Sequence, residues 1–409
     1  MKLTLKNIGK FNNAEIELNG ITVIAGENNT GKSTISKALY CVFNSFSHNG
    51  EQIKREKRNK VVNLFRNFIR ENDNLIINTA PLGNKIYELI ENGNFTPPHL
   101  MSALEETQGL NIAPEQKDIL LNNLQEICSI TDKTIQTTIL KRFLFSEFVN
   151  QIKNIFNDEL SEIQLKIKDK TVDIKIYSEN DIDFTGNFDL ITEALYLDDP
   201  CILDNLYPIF QTYSINEHRE HLKKKFIYPR NNDVLDEILA NKKLDNILAL
   251  INSACDGKLT RSERSMFEYS LPATDKTINI RNVSMGLKSF AILKSLLLNG
   301  NIQERATLIL DEPEVHLHPK WQLVFAEIIV LLQKEFNLTI LLNTHSPYFM
   351  EAIEVYSKKH QIEDKCKYYL TEDKDKASIT DATENVESIY KKLAEPYQTL
   401  SDVRFGNDD

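Results

Sequence analysis

The chain has 409 residues, 41% hydrophobic and 26% charged, with 48 Lys and Arg against 59 Asp and Glu for a formal net charge of −11. That length exceeds what one hydrophobic core usually organises, so a large domain carrying a sizeable insertion, or two lobes, is expected. The acidic balance excludes a uniformly basic nucleic-acid binder, and no run approaches the about 20 apolar residues of a membrane span.

Leu3 and Leu5, then Ile16 and Leu18, alternate with polar neighbours as strands do, and Ile21-Thr22-Val23-Ile24 is a more continuous apolar run. The first residues, Met1 to Leu5, hold no signal-peptide core. After a Gly-containing loop, Ile35, Leu39, Val42, Phe43 and Phe46 fall on one helical face. From about 50 to 157 the pattern is mostly helical. One stripe is Val61, Phe65, Phe68 and Ile69, and a second is Phe143, Leu144, Phe148, Ile152, Ile155 and Phe156, with breakers at Asn92-Gly93-Asn94 and Pro97-Pro98 between them. Lys54, Arg55, Lys57, Arg58 and Lys60 form the best local basic patch, open to reading as a solvated helix face or as a phosphate track.

Between 161 and 177 the period switches to two, with Ile163, Leu165 and Ile167, then Val172, Ile174 and Ile176, on either side of Asp169-Lys170-Thr171. That is a β-hairpin with one face buried. Helices return near 234–252 and strands near 267–281. Ala306 to Leu310 and Leu338 to Leu342 are the near-continuous apolar runs of central parallel strands, with a helix opened by Pro319 between them. The expected class is α/β. Its parts are an N-terminal portion 1–49, a helical insertion 50–157, a β-hairpin and helical region 158–265, and a C-terminal lobe 266–409. Five dispersed cysteines (Cys41, Cys128, Cys201, Cys255, Cys366) without Cys-x-x-Cys fit reduced thiols as core filler. A soluble, cytoplasmic chain with no membrane partner follows as the expectation.

Gly26-Glu27-Asn28-Asn29-Thr30-Gly31-Lys32-Ser33 matches the Gly-x-x-x-x-Gly-Lys-Ser phosphate loop, followed by Thr34. The glycines let backbone N–H groups turn inward around phosphates, and the following helix presents its positive N-terminus. Lys32 would reach the β- and γ-phosphates of ATP, and Ser33 would ligate Mg²⁺. Gly26, Asn28, Asn29, Thr30, Gly31, Lys32, Ser33 and Thr34 are therefore the candidate nucleotide-binding residues. At the end of a buried strand, Asp311 and Glu312 are costly carboxylates unless something cationic sits there. Asp311 would hold Mg²⁺ with Ser33, and Glu312 would act as general base toward the attacking water. His345, in Asn343-Thr344-His345-Ser346-Pro347, could contact the γ-phosphate and orient that water. Ser284 and Gly286, at a helix start, offer a hydroxyl and a close-approach backbone; chemistry alone leaves an anion site and a simple helix cap both open.

Taken in chain order, the phosphate loop, Ser284-x-Gly286, Asp311-Glu312 and His345 resemble an ABC-type ATPase head, at motif level over 1–45 and 270–350. Glu312-Pro313-Glu314 followed by Leu317-His318-Pro319, with Asn343 to Pro347, is similar to the OLD-like prokaryotic defence ATPases, including the ATPase subunit of Septu systems. The resemblance implies an ABC-type P-loop ATPase head with a mixed sheet, an antiparallel hairpin region and a mostly helical insertion. It also implies a head-to-head homodimer with ATP and Mg²⁺ between protomers, Ser284 and Gly286 over the opposite subunit's γ-phosphate, and Glu314 to His318 near the seam. The residues after His345 are not expected to form the Toprim nuclease of OLD proteins proper; Glu372, Asp373 and Asp375 read as a solvated turn. No glutamine stands out as the Mg²⁺ sensor. The implied function is an ATPase controlling a separate effector, a nuclease or toxin, in antiphage defence. The alternatives are a RecF-like ATPase acting on DNA, with weak nucleic-acid binding through the basic patch, and a nucleotide-sensing scaffold with little turnover.

Overall fold

Both faces of the strand leading to the phosphate loop are covered: Ile21, Val23 and Ala25 join the main apolar cluster, and the intervening Thr22 and Ile24 are buried too. A strand with two buried faces belongs in the middle of a parallel sheet, and it is found there. The computed structural model describes residues 1–72, 80–92, 114–178, 181–188, 190–206, 216–228, 234–261, 267–272, 274, 276–373 and 376–405. Of the segments singled out above, Gly93, Asn94, Pro97, Pro98 and Asp375 lie outside these residues.

The strands in chain order are β1 (Lys2–Ile8), β2 (Phe11–Glu17), β3 (Ile21–Gly26), β4 (Ser161–Ile167), β5 (Lys170–Ser178), β6 (Asp181–Thr185), β7 (Ala194–Leu197), β8 (Lys258–Arg261), β9 (Phe267–Ser270), β10 (Thr277–Asn279), β11 (Thr307–Asp311), β12 (Thr339–Thr344), β13 (Cys366–Asp373) and β14 (Ala377–Asp381). Eleven of them form one mixed sheet in the order β6-β5-β4-β1-β2-β14-β13-β3-β12-β11-β7, and β10-β9-β8 form a second. The segment β13-β3-β12-β11-β7 is parallel, and β4-β5-β6 is an antiparallel meander against β1. The α/β class, the mixed sheet, the hairpin and the helical insertion are thus all present. The hairpin turn falls one position earlier than its sequence suggests. Ile167 pairs with Lys170, so Lys168 and Asp169 make the turn, with Lys168 at φ 55.

Contacts divide the chain into two compact units, Met1–Ser47 with Lys141–Asp409, and His48–Leu140. In the first, the helices Met285–Leu298, Pro319–Phe336 and Pro347–Lys359 bury Phe290, Leu293, Phe325, Ile329, Phe349 and Ile353 in the main cluster with the parallel strands. Each such side chain contributes about 1.5–3 kcal/mol by leaving water. In the second, Val61 and Phe65 pack with Leu82, Ile86, Leu120, Leu124 and Ile127.

Three further expectations change. The helix Asp132–Phe148 stops before Ile152, Ile155 and Phe156, because Val149 and Asn150 both take positive φ. Asn154 then donates its backbone N–H to Asn7 O and its side chain to Asn12 Oδ1, exchanging helical bonds for a tie to the β1–β2 hairpin and leaving Ile155 and Phe156 exposed. Glu372 and Asp373 are the last residues of β13, and Asp373 pairs with Lys10 at 2.7 Å. Cys128 is exposed, whereas Cys41, Cys255 and Cys366 are buried and Cys201 is half-buried; all five are free thiols. Among the described residues no helix is long and apolar enough to cross a membrane.

Candidate functional site

The site gathers at the C-terminal ends of β3, β11 and β12, where an open parallel sheet presents its ligands. β3 leads into the phosphate loop, and the helix Lys32–Phe46 follows directly. Two glycines are dictated by crowding. A Cβ on Gly31, which sits at φ 92, would meet the Phe11 ring at 2.5 Å, and one on Gly26 would meet Thr371 Oγ1 at 2.2 Å. Asn28 and Asn29 stand exposed, Asn29 at φ 67 with its carbonyl accepting from Lys10. Thr30 is turned inward: its hydroxyl donates to Glu27 O and meets Thr371 Oγ1 at 2.7 Å, which pins the loop to β13. Thr34 donates its N–H to Gly31 O, and Ser33 is exposed on the first turn.

Lys32 is 4% exposed and donates to Gly26 O at 3.0 Å and Glu27 O at 2.8 Å. Glu312 Oε1 lies 3.6 Å from its Nζ and 3.3 Å from His345 Nδ1. Glu312 therefore stands between the loop lysine and the histidine, drawn from three separate segments of chain. Its backbone is in the left-handed region at φ 50, while its N–H donates to Asn343 O as a continuation of the β11–β12 pairing. A non-glycine residue there costs on the order of 1–2 kcal/mol, and such strain is characteristic of functional turns.

Asp311 is held by both oxygens. Tyr196 donates its hydroxyl to Oδ2 at 2.8 Å, and Asn343 donates Nδ2 to Oδ1 at 2.8 Å while also bonding Ser36. Each carboxylate oxygen keeps a lone pair after these bonds, so the donor set fits a hard cation shared with Ser33. Ser33 and Asp311 line one cleft of about 350 Å³ with Glu312, His316, Ser289, Asp198 and Asp199.

Ser284 is exposed at the N-terminus of the helix Met285–Leu298 and makes no side-chain cap to it. Gly286 packs close, since a Cβ there would come within 2.9 Å of His316 O and 3.3 Å of the Trp321 ring. The Ser-x-Gly segment thus lies against the turn that follows Glu312. His318 caps the helix Pro319–Phe336 by accepting from Lys320 N, a helix-entry role, and among the described residues no cluster of three metal-ligating side chains occurs. Glu314 is turned into the fold, 2% exposed.

A neighbouring network carries no motif in the sequence. β7 pairs in parallel with β11 so that Leu197 lies opposite Leu310, which brings Asp198 beside the end of the Asp311 strand. His218 is sandwiched between two carboxylates, Nδ1 at 2.7 Å from Glu147 Oε2 and Nε2 at 3.1 Å from Asp198 Oδ2, and its ring stacks on Tyr196 with centroids 4.4 Å apart. Burial pulls the imidazole pKa down, and the two carboxylates more than offset it, so the pKa is raised. Burial likewise raises Asp198, but His218 and Arg219 outweigh it and hold the carboxyl below its ordinary range. Burial, then Asp311 and Asp198, push the Tyr196 phenol well above its usual value, so it stays a donor to Asp311. The one local signal was an echo: Leu197-Asp198-Asp199-Pro200 repeats the form of Leu310-Asp311-Glu312-Pro313.

The retron Vc95 probable ATPase of Vibrio cholerae serotype O1 biovar El Tor is 26% identical over 145 residues, 32% of this chain and 27% of that protein. The match therefore spans about a quarter of that relative's length. Among solved structures, the SMC head domain from Thermotoga maritima aligns at 12% identity and a TM-score of 0.40, over 93% of this chain and 97% of that one. The Smc head domain with an extended coiled coil bound to the C-terminal domain of ScpA, from Pyrococcus furiosus, aligns at 10% identity and 0.42, over 98% of each. The family described as AAA ATPase domain matches residues 1–350, a span that includes the phosphate loop, the Asp311-Glu312 pair and His345, and the chain belongs to that family.

Proposed function

We propose that this ATPase domain binds ATP with Mg²⁺, hydrolyses it, and dimerises head to head around it to control a separate effector, a nuclease or toxin, in the manner of the OLD-like defence ATPases. The observation that carries the hydrolytic part is Glu312 standing 3.6 Å from Lys32 and 3.3 Å from His345. In this reading Lys32 binds the β- and γ-phosphates, Glu312 accepts the proton of the attacking water, and His345 orients that water. Ser33 and Asp311 would hold Mg²⁺, which when bound neutralises phosphate charge. The effector role is supported by the similarity to a retron ATPase and by the Glu-Pro-Glu and Leu-His-Pro segments.

The composite site can be tested by complementation. Lys32→Ala and Ser284→Arg subunits should each be inactive as homodimers. In a mixed dimer with two-fold symmetry of contacts, both lesions fall on one composite site, and the other pairs an intact loop with an intact Ser284 segment. ATPase activity should return on mixing. No recovery, with mixed dimers demonstrated by differential tagging, counts against the sandwich unless the two sites fire only together.

Direct action on DNA is the second reading, and it rests on the basic run of the helix Asn49–Asn72. That run is partly neutralised, since Lys54 pairs with Glu91 and Lys57 with Asp132 at 2.7 Å, while Arg58 keeps its charge and donates to the neutral Asn84 amide. DNA binding by the chain should therefore be weak and lost with salt; a protein using 6–10 phosphate contacts loses about 10³–10⁵ in affinity between 50 and 200 mM. Tight binding that survives salt, measured by fluorescence anisotropy, would favour the DNA reading.

A further inference from the structure

Glu314 is an expensive residue to bury. Its side chain is 2% exposed, its Oε1 accepts a hydrogen bond from the Thr344 hydroxyl, and among the described residues its Oε2 has no hydrogen-bond partner. A buried carboxyl with an unsatisfied oxygen destabilises a fold relative to an apolar side chain of similar size. Burial pushes its pKa up to about 7, against the pull of the Thr344 hydrogen bond. Local geometry does not need the carboxyl, because the backbone here is fixed by other groups. Leu317 N–H and Gln322 Nε2 both bond Glu314 O, and Gln322 also bonds Leu317 O. The side chain is free to serve something else, and it reaches the end of β12.

Thr344 is where it arrives. The Thr344 oxygen also accepts from Ser346 N–H at 3.0 Å, so one hydroxyl ties residues 344 and 346 together around His345. Ser346 in turn caps the following helix by accepting from Phe349 N–H. His345 is therefore carried on a turn whose two flanking residues are locked, with Glu314 as the lock's buried end, and its Nδ1 faces Glu312 at 3.3 Å.

We propose that Glu314 is a positioning residue for ATP hydrolysis: its buried carboxyl holds the Thr344 hydroxyl and thereby fixes His345 against Glu312. The role deepens the reading of Glu312 and His345 as the hydrolytic pair and rests on it. It concerns the aim of His345, so it acts on turnover and leaves nucleotide affinity alone. Misplacement of a catalytic group by about 1 Å costs on the order of 10²-fold in rate.

The test compares kcat with the dissociation constant for a non-hydrolysable ATP analogue in the full chain. Glu314→Ala and Thr344→Val should each lower kcat about 10- to 100-fold, with affinity unchanged within about twofold. Glu314→Gln, which still accepts from a hydroxyl, and Thr344→Ser, which still supplies one, should recover most of that loss. The double variant Glu314→Ala/Thr344→Val should be no slower than its worse parent, as for two parts of one contact. Wild-type kcat in Thr344→Val overturns the proposal, and so does a loss that the conservative variants share in full. Should Glu314→Ala fail to fold, the Thr344→Val and Thr344→Ser pair decides alone. His345→Ala and Glu312→Gln run in parallel: if both turn over at the wild-type rate, the hydrolytic pair itself is wrong, a result distinct from intact turnover in Thr344→Val alone.

Discussion

Lys32→Ala is expected to abolish nucleotide binding. The side chain supplies the compact charge that a phosphate loop directs at the β- and γ-phosphates. It is nearly fully buried at the centre of the loop, with two of its three N–H donors on Gly26 O and Glu27 O and the third side toward Glu312. Alanine removes the charge and also leaves Glu312 without its lysine partner, so the loop would face a triphosphate with negative charge uncompensated. ATP titration by calorimetry should show no saturable heat. The expected loss exceeds that of a surface lysine, whose ion pairs are worth about 0–1 kcal/mol. Unchanged affinity would mean that residues 26–33 do not bind phosphate.

Glu312→Gln should bind ATP and hydrolyse it about 10²–10⁴-fold more slowly, the range for removing a general base. The amide keeps the size of the side chain, and the left-handed backbone at residue 312 is no harder for glutamine than for glutamate, so the turn should persist. What changes is the capacity to take a proton between Lys32 and His345. The ATP-bound dimer should then accumulate, visible as a shift in size-exclusion elution on adding ATP and Mg²⁺. Near-normal single-turnover rates would move the base to another residue or to a partner protein.

The phosphate loop was legible because its whole mechanism is local. Eight consecutive residues, a strand before them and a helix after them carry the signal, and the crowding at Gly26 and Gly31 shows why those positions read as glycine. Asp311-Glu312 and His345 were legible for a related reason: each closes an apolar run that has to be a central strand, and strand ends in such sheets converge. The placement of Glu314 was not legible. Its carboxyl turns inward to Thr344, 30 positions away, a partner that no spacing around residue 314 marks.

What the sequence determined by itself is the α/β class, the phosphate loop, the hairpin at 161–177 and the identity of the carboxylate and histidine candidates, since each rests on a period or a spacing within one segment. Tertiary structure alone decided the rest. The end of the helix at Phe148 depends on Asn154 finding Asn7 and Asn12, against an apolar period that continues to Phe156. The support of Asp311 by Tyr196, of Asp198 by His218 and of His218 by Glu147 joins positions 115, 20 and 71 residues apart. No local pattern encodes such contacts, because a buried polar group is made affordable only by the partner that packing brings to it.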